Sequence, residues 1–130
     1  IISTFKAYPH NRIVALFGSI GEKNQIRRKE LGLVAGKEAD LSILTTDDPG
    51  KEDPMKIAED IAYYIRQVGG KYIMIKDRKE AIRYALSHMQ KGDILILAGK
   101  GNETFMKLKD GKVPYSELEE VKKYINFKKN

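Results

Sequence analysis

The chain contains no cysteine and no tryptophan. Without cysteine there is no disulfide framework and no thiolate zinc site. Histidine is almost as scarce: His10 and His88 are the only two, too far apart in sequence to suggest a histidine metal cluster. No apolar run approaches the roughly 20 residues needed to cross a bilayer as a helix. No basic segment followed by an apolar stretch marks a secretory signal, so a cytoplasmic location is expected. Only four prolines interrupt the chain, and 42% apolar content in 130 residues suits one globular domain with a sizeable core, here taken as residues 1–130. The first residue is Ile1 and not methionine, which leads to the expectation of a piece cut from something longer.

The net charge is +6 and the pI about 9.4, which draws attention to anionic partners. Basic residues are spread along the chain, with clusters only at Lys23/Arg27/Arg28/Lys29 and in the Lys-rich tail. The few aromatics are not interleaved with Lys and Arg as a nucleic-acid stacking platform requires. Small phosphate-bearing molecules are therefore favoured over nucleic acid, and a monomer acting away from the membrane is expected.

Four apolar runs have strand length: Ile13–Phe17, Leu41–Leu44, Tyr72–Ile75 and Ile94–Leu97. None alternates cleanly, as expected of strands buried on both faces. Helical patterns lie between them. Asp53 can cap a helix opened by Pro54, whose apolar stripe is Ile57, Ala58, Ile61, Ala62, Ile65 and Val68, ending at Gly69-Gly70. Asp77, with Glu80 three residues on, can cap another that closes at Gly92. A helix from Arg27 to about Lys37 is weakened by Gly32. Strands alternating with helices imply an α/β fold: a Rossmann-like, doubly wound, mostly parallel sheet. After Leu97 the pattern changes. Thr104–Leu108 and Val113–Tyr115 flank an Asp110-Gly111 turn signal, giving an antiparallel hairpin, and Ser116 to Glu119 opens a terminal helix.

In such sheets ligands bind outside the carboxyl ends of the strands. Three loops meet that edge: Gly18–Asn24, Thr45–Asp53 and Ala98–Glu103. Singly, each has a plain explanation. Glycines permit tight turns, and Asp-Asp-Pro-Gly is good turn chemistry. Together they collect glycines and charges on one rim, which becomes the expected site. That rim holds no P-loop, because Gly99-Lys100 has Ile94 at the first glycine place and Gly101 where Ser or Thr is required. No G-x-G-x-x-G and no adjacent nucleophile–base pair occurs either.

The series G-x-x-G-E-K-N-x-x-R-R-K, T-x-D-D-P-G-x-E-D-P and G-D-x-x-x-x-A-G-K-G-N-E resembles the C-terminal domain of the Mur ligases, nearest to the MurE branch. The resemblance implies part of a three-domain, ATP-dependent amide ligase. That enzyme adds the third amino acid to a UDP-N-acetylmuramoyl dipeptide through an acyl phosphate, in peptidoglycan synthesis. It further implies that ATP and Mg2+ are bound mainly by a central domain outside this chain, and that this domain alone is inert. Its substrates would be that dipeptide, a diamino acid and ATP.

By the same resemblance, Lys23, Arg27 and Arg28 belong near the nucleotide, and Asp47, Asp48, Gly99 and Glu103 near the incoming amino acid. Three departures from the family motifs stand out. Gly21-Glu22-Lys23-Asn24 replaces the usual Gly-Asp-Arg-Asp, exchanging a planar guanidinium for an ammonium. Asn102 stands where histidine is usual. Asp47-Asp48-Pro49-Gly50 replaces the Asp-Asn-Pro-Arg of branches that use meso-diaminopimelate, removing the arginine that pairs with its distal carboxylate. The added Asp48 would attract an ammonium, so L-lysine or ornithine is expected. Two other readings stay open: a receiver-like binding module using Asp47, Asp48, Asp77 and Lys100, and a basic nucleotide- or nucleic-acid-binding module.

Overall fold

A computed structural model describes residues 11–19, 25–98, 105–108 and 111–114. Its elements, in order, are β1 (Ile13–Phe17), α1 (Gln25–Glu38), β2 (Leu41–Leu44), α2 (Pro54–Gln67), β3 (Tyr72–Met74), α3 (Arg78–His88), β4 (Ile94–Leu97), β5 (Phe105–Leu108) and β6 (Gly111–Pro114). The expected terminal helix falls outside the described residues. The strand limits agree with the apolar runs except at Ile75, which lies beyond β3 yet still donates its N–H to the Leu44 carbonyl at 2.9 Å.

Four parallel strands form one sheet in the order β3-β2-β1-β4. The chain walks outward from β1 to β2 to β3, then jumps back across β1 to add β4. Crossovers are right-handed almost without exception, so reversing direction moves the connecting helix to the other face. The packing agrees. Ala15, Phe17 and Leu44 meet Ala35 of α1 and Ile57, Ala58, Ile61, Ala62 and Ile65 of α2. On the opposite face Val14, Leu16 and Ile43 meet Ala81, Ile82 and Ala85 of α3. The result is a three-layer α/β/α sandwich.

Burial follows strand order. All five residues of β1 are buried, whereas β4 is half-buried throughout and β3 leaves Met74 exposed. The expectation of four strands buried on both faces thus holds for the central pair and fails at the flanks. The sequence carries no mark of which apolar run will be flanked on both sides.

Caps behave as their chemistry requires. The Asp53 carboxylate accepts the Met55 N–H at 2.9 Å, and Asp77 accepts that of Lys79 at 2.9 Å. At the far end of α2, Gly69 N–H donates to the Arg66 carbonyl and Gly70 N–H to that of Ile65, the paired closure of a helix C-terminus.

α1 runs unbroken through Gly32, from Gln25 to Glu38, a little beyond the expected Arg27 and Lys37. A Cβ on Gly32 would lie 2.5 Å from the Ile61 carbonyl oxygen and 2.8 Å from the Tyr64 Cβ. The glycine lets α1 and α2 approach backbone to backbone over the sheet. Beyond β4, the hairpin pairs Leu108 with Gly111. Gly111 therefore opens β6, two residues before the Val113 at which the turn reading had it begin.

Candidate functional site: the carboxyl edge of the sheet

The strand order reverses between β1 and β4. At such a switch point the loops leaving adjacent strands diverge, opening the crevice where α/β sheets bind ligands. The loop after β2 leaves the sheet on the other side of β1 from β4.

That loop is not an exposed turn. Thr45, Thr46 and Asp47 are only 2%, 5% and 8% exposed, Pro49 is fully buried, and Asp48 is half-buried. Asp48 takes a φ of +44° and Gly50 one of +61°, both left-handed conformations. Such backbone is unfavourable for a residue with a Cβ and persists where surrounding contacts impose it. Those contacts are visible. The Thr45 N–H extends the sheet ladder by donating to the Phe17 carbonyl at 3.0 Å. The Thr46 hydroxyl donates to the Lys76 carbonyl at 2.6 Å, and that of Thr45 to the same oxygen at 3.3 Å. A Cβ on Gly18 would stand 2.3 Å from the Thr45 carbonyl oxygen and 3.1 Å from the Asp47 Cβ. The chain leaving β1 at Gly18 can lie against the second loop only because residue 18 has no side chain.

Arg78, absent from the sequence expectations, ties this edge together. It is 2% exposed, and its Nη1 donates to the Thr46 carbonyl at 3.0 Å while Nη2 donates to that of Ala98 at 2.8 Å. One side chain thus reaches the loop after β2 and the end of β4, on either side of β1. A local signal existed. Arg78 is the first residue of α3, where a cation opposes the helix dipole, so something other than helix formation holds it there.

The expected site residues separate on inspection. Asp47 and Asp48 come to the carboxyl edge, beside the switch point. Arg27 is exposed on α1. Arg28 turns inward instead: 1% exposed, it forks onto Glu52 with contacts of 2.9 and 2.7 Å and reaches Asp60 at 2.7 Å. The hydrogen bonds to Glu52 first, and then Asp60, outweigh desolvation and make its proton harder to remove than usual. Arg28 clamps α1 to the middle of α2 and to the acidic loop before it. Lys23, Gly99 and Glu103 lie outside the described residues.

Besides Asp47, Asp48 and the threonine hydroxyls, the described residues of this edge include the exposed Lys51 and Lys76, while Arg28 and Arg78 are held by Glu52, Asp60 and backbone carbonyls. Among the described residues no three His, Cys, Asp or Glu side chains gather where they could hold a metal ion. The acidic loop follows β2 and Asp77 is engaged as a helix cap, so a receiver-type arrangement of carboxylates is not formed. No described helix is long and apolar enough to cross a membrane.

The fold is thus an α/β/α domain with Rossmann strand order and a buried acidic loop at the carboxyl edge of its sheet. Comparison with known proteins makes this specific. The model for "Mur ligase, glutamate ligase domain" matches residues 1–101, and the chain belongs to that family. It is 43% identical over 125 residues to the "UDP-N-acetylmuramoyl-L-alanyl-D-glutamate--2,6-diaminopimelate ligase" of Caldanaerobacter subterraneus subsp. tengcongensis, covering 96% of this chain and 26% of that protein. To the "UDP-N-acetylmuramyl-tripeptide synthetase" of Ligilactobacillus salivarius it is 44% identical over 115 residues, covering 88% of this chain and 22% of that one. A solved 2,6-diaminopimelate ligase structure superposes with a TM-score of 0.90 at 31% identity, covering 99% of this chain and 26% of that one. The chain spans about a quarter of the length of these relatives, and corresponds to the Mur ligase C-terminal domain, with relatives of the MurE type.

Proposed function

We propose that this chain is the closing domain of an ATP-dependent ligase that joins a diamino acid to UDP-N-acetylmuramoyl-L-Ala-D-Glu, and that its loop Asp47-Asp48-Pro49-Gly50 receives the amino acid. The observation that carries the reading is this loop: two carboxylates on buried, conformationally constrained backbone at the switch-point edge. A carboxylate held in this way attracts an ammonium without the entropy of ordering a mobile side chain. ATP and Mg2+ would sit mainly on a domain outside this chain, where ATP activates the dipeptide carboxylate as an acyl phosphate for attack by the amine. The positive net charge suits the anionic substrates. The enzyme would act in the cytoplasm as a monomer on small molecules, with Arg27 and Lys23 toward the nucleotide and Gly99 and Glu103 toward the amino acid.

L-Lysine, or ornithine, is the proposed third amino acid. Gly50 has no side chain with which to meet a distal carboxylate, and Asp48 adds a charge suited to a distal ammonium. A second reading, meso-diaminopimelate, is favoured by the names of several relatives. Ligation kinetics of the full-length enzyme with lysine, ornithine and meso-diaminopimelate separate the two. Lysine or ornithine should show the higher kcat/KM. Asp48→Asn keeps a residue that tolerates a left-handed φ and removes the charge. It should raise the KM for lysine about tenfold, the size of a lost charge-assisted hydrogen bond. Preference for meso-diaminopimelate, or an unchanged KM in Asp48→Asn, would overturn the assignment.

A further inference from the structure

We propose that Arg78 is a positioning residue that sets the width of the amino-acid pocket, an inference that rests on the function proposed above. Its fork spans β1: the Thr46 carbonyl at 3.0 Å immediately precedes Asp47, and the Ala98 carbonyl at 2.8 Å directly follows β4. The third strand end joins through the Thr46 hydroxyl, which donates to the Lys76 carbonyl at 2.6 Å. Arg78 is itself anchored, because the preceding Asp77 fixes the first turn of α3 by accepting the Lys79 N–H. A single side chain therefore links the carboxyl ends of β2 and β4, with β3 drawn in by the threonine.

The chemistry requires arginine. Two carbonyls on separate strands are met by two nitrogens of one rigid plane, which a lysine ammonium on a flexible stem cannot reproduce. Burying a guanidinium is also a poor way merely to fill space. An apolar side chain of similar volume usually gives equal or better stability, whereas a satisfied fork gives a defined spacing. The position adds to this, since a cation in the first turn opposes the helix dipole. What the fork fixes is the distance between the acidic loop and the end of β4, the two walls between which the amino acid is proposed to sit. Loosening it should weaken amino-acid binding and leave substrates held by other domains unaffected.

The test uses the full-length ligase with Arg78→Met, nearly isosteric and uncharged, and Arg78→Lys, which keeps the charge and loses the fork. Steady-state KM is measured for each substrate, together with amide hydrogen exchange. The expected result is a KM for the third amino acid raised at least tenfold in Arg78→Met and to a smaller extent in Arg78→Lys. The KM values for ATP and for the dipeptide substrate should stay within threefold of wild type. Exchange should quicken at Thr45–Asp48 and Ala98 and remain unchanged in α2. If Arg78→Met does not fold, the Lys variant carries the same comparison. An amino-acid KM within twofold of wild type in folded variants would overturn the proposal, as would an equal rise in all three KM values. A wild-type enzyme that ligates no amino acid overturns the functional reading itself, and this inference with it.

Discussion

Replacing Gly32 with alanine sets two well-measured effects against each other. In an exposed helix interior the change should stabilise by about 1 kcal/mol, since glycine is the poorer helix former by that amount. Here the added methyl would stand 2.5 Å from the Ile61 carbonyl oxygen, where ordinary contact begins at 3.4 Å, a shortfall of 0.9 Å. The obstacle is backbone. Neither can α2 retreat easily, because Ile61 and Ile65 on the same helix are wholly buried against the sheet. Overpacking of this kind costs about 1–3 kcal/mol. The packing term should win, leaving a net loss of about 1 kcal/mol and a Tm lower by about 4 °C for a domain of this size. Gly36 supplies an internal control. A Cβ there meets the Val68 Cγ2 methyl at 2.5 Å but backbone only from 3.1 Å. A methyl on a side chain can rotate aside, so Gly36→Ala should cost less. Thermal and urea unfolding of wild type and both variants provide the measurement. A Tm that rises in Gly32→Ala, or falls further in Gly36→Ala, would refute the reasoning.

Two further perturbations test the charge networks. Arg28→Met leaves Glu52 and Asp60 facing each other around an uncharged side chain. It should cost about 2–3 kcal/mol by urea unfolding, less than for a fully buried pair because both carboxylates reach solvent. An unfolding free energy within about 0.5 kcal/mol of wild type would contradict the account. At the opposite edge, Arg12 Nη2 donates to Asp93 at 2.7 Å. That hydrogen bond first, and the Gln90 N–H second, hold the Asp93 carboxyl below the usual carboxylate range. A depressed folded pKa contributes stability that is complete at neutral pH and is lost as pH falls through it. Asp93→Asn should therefore flatten the dependence of Tm on pH below about pH 4, and parallel curves for variant and wild type would count against it.

The elements whose causes lie within a few residues were legible in the chain itself. The four apolar runs became β1 to β4 almost to the residue, the Asp53 and Asp77 caps formed, and the apolar stripe of α2 is buried. Periodicity and capping act over one or two helical turns, so they are written locally. The acidic loop at a strand end was legible for the same reason, since the carboxyl edge of a parallel sheet is a consequence of βαβ order. What tertiary structure decided involves partners distant in sequence. Gly32 looked like a flaw until α2 came within contact of it. Arg28 looked like part of a basic surface until folding placed Glu52 and Asp60, 24 and 32 residues away, around it. Arg78 drew no notice because its carbonyl partners lie 32 residues before and 20 after it, and any residue can supply a backbone carbonyl. The cation in the first turn of α3 marks Arg78 as unusual, but nothing in the sequence records which backbone atoms it meets. Only the strand order β3-β2-β1-β4 brings those atoms within its reach.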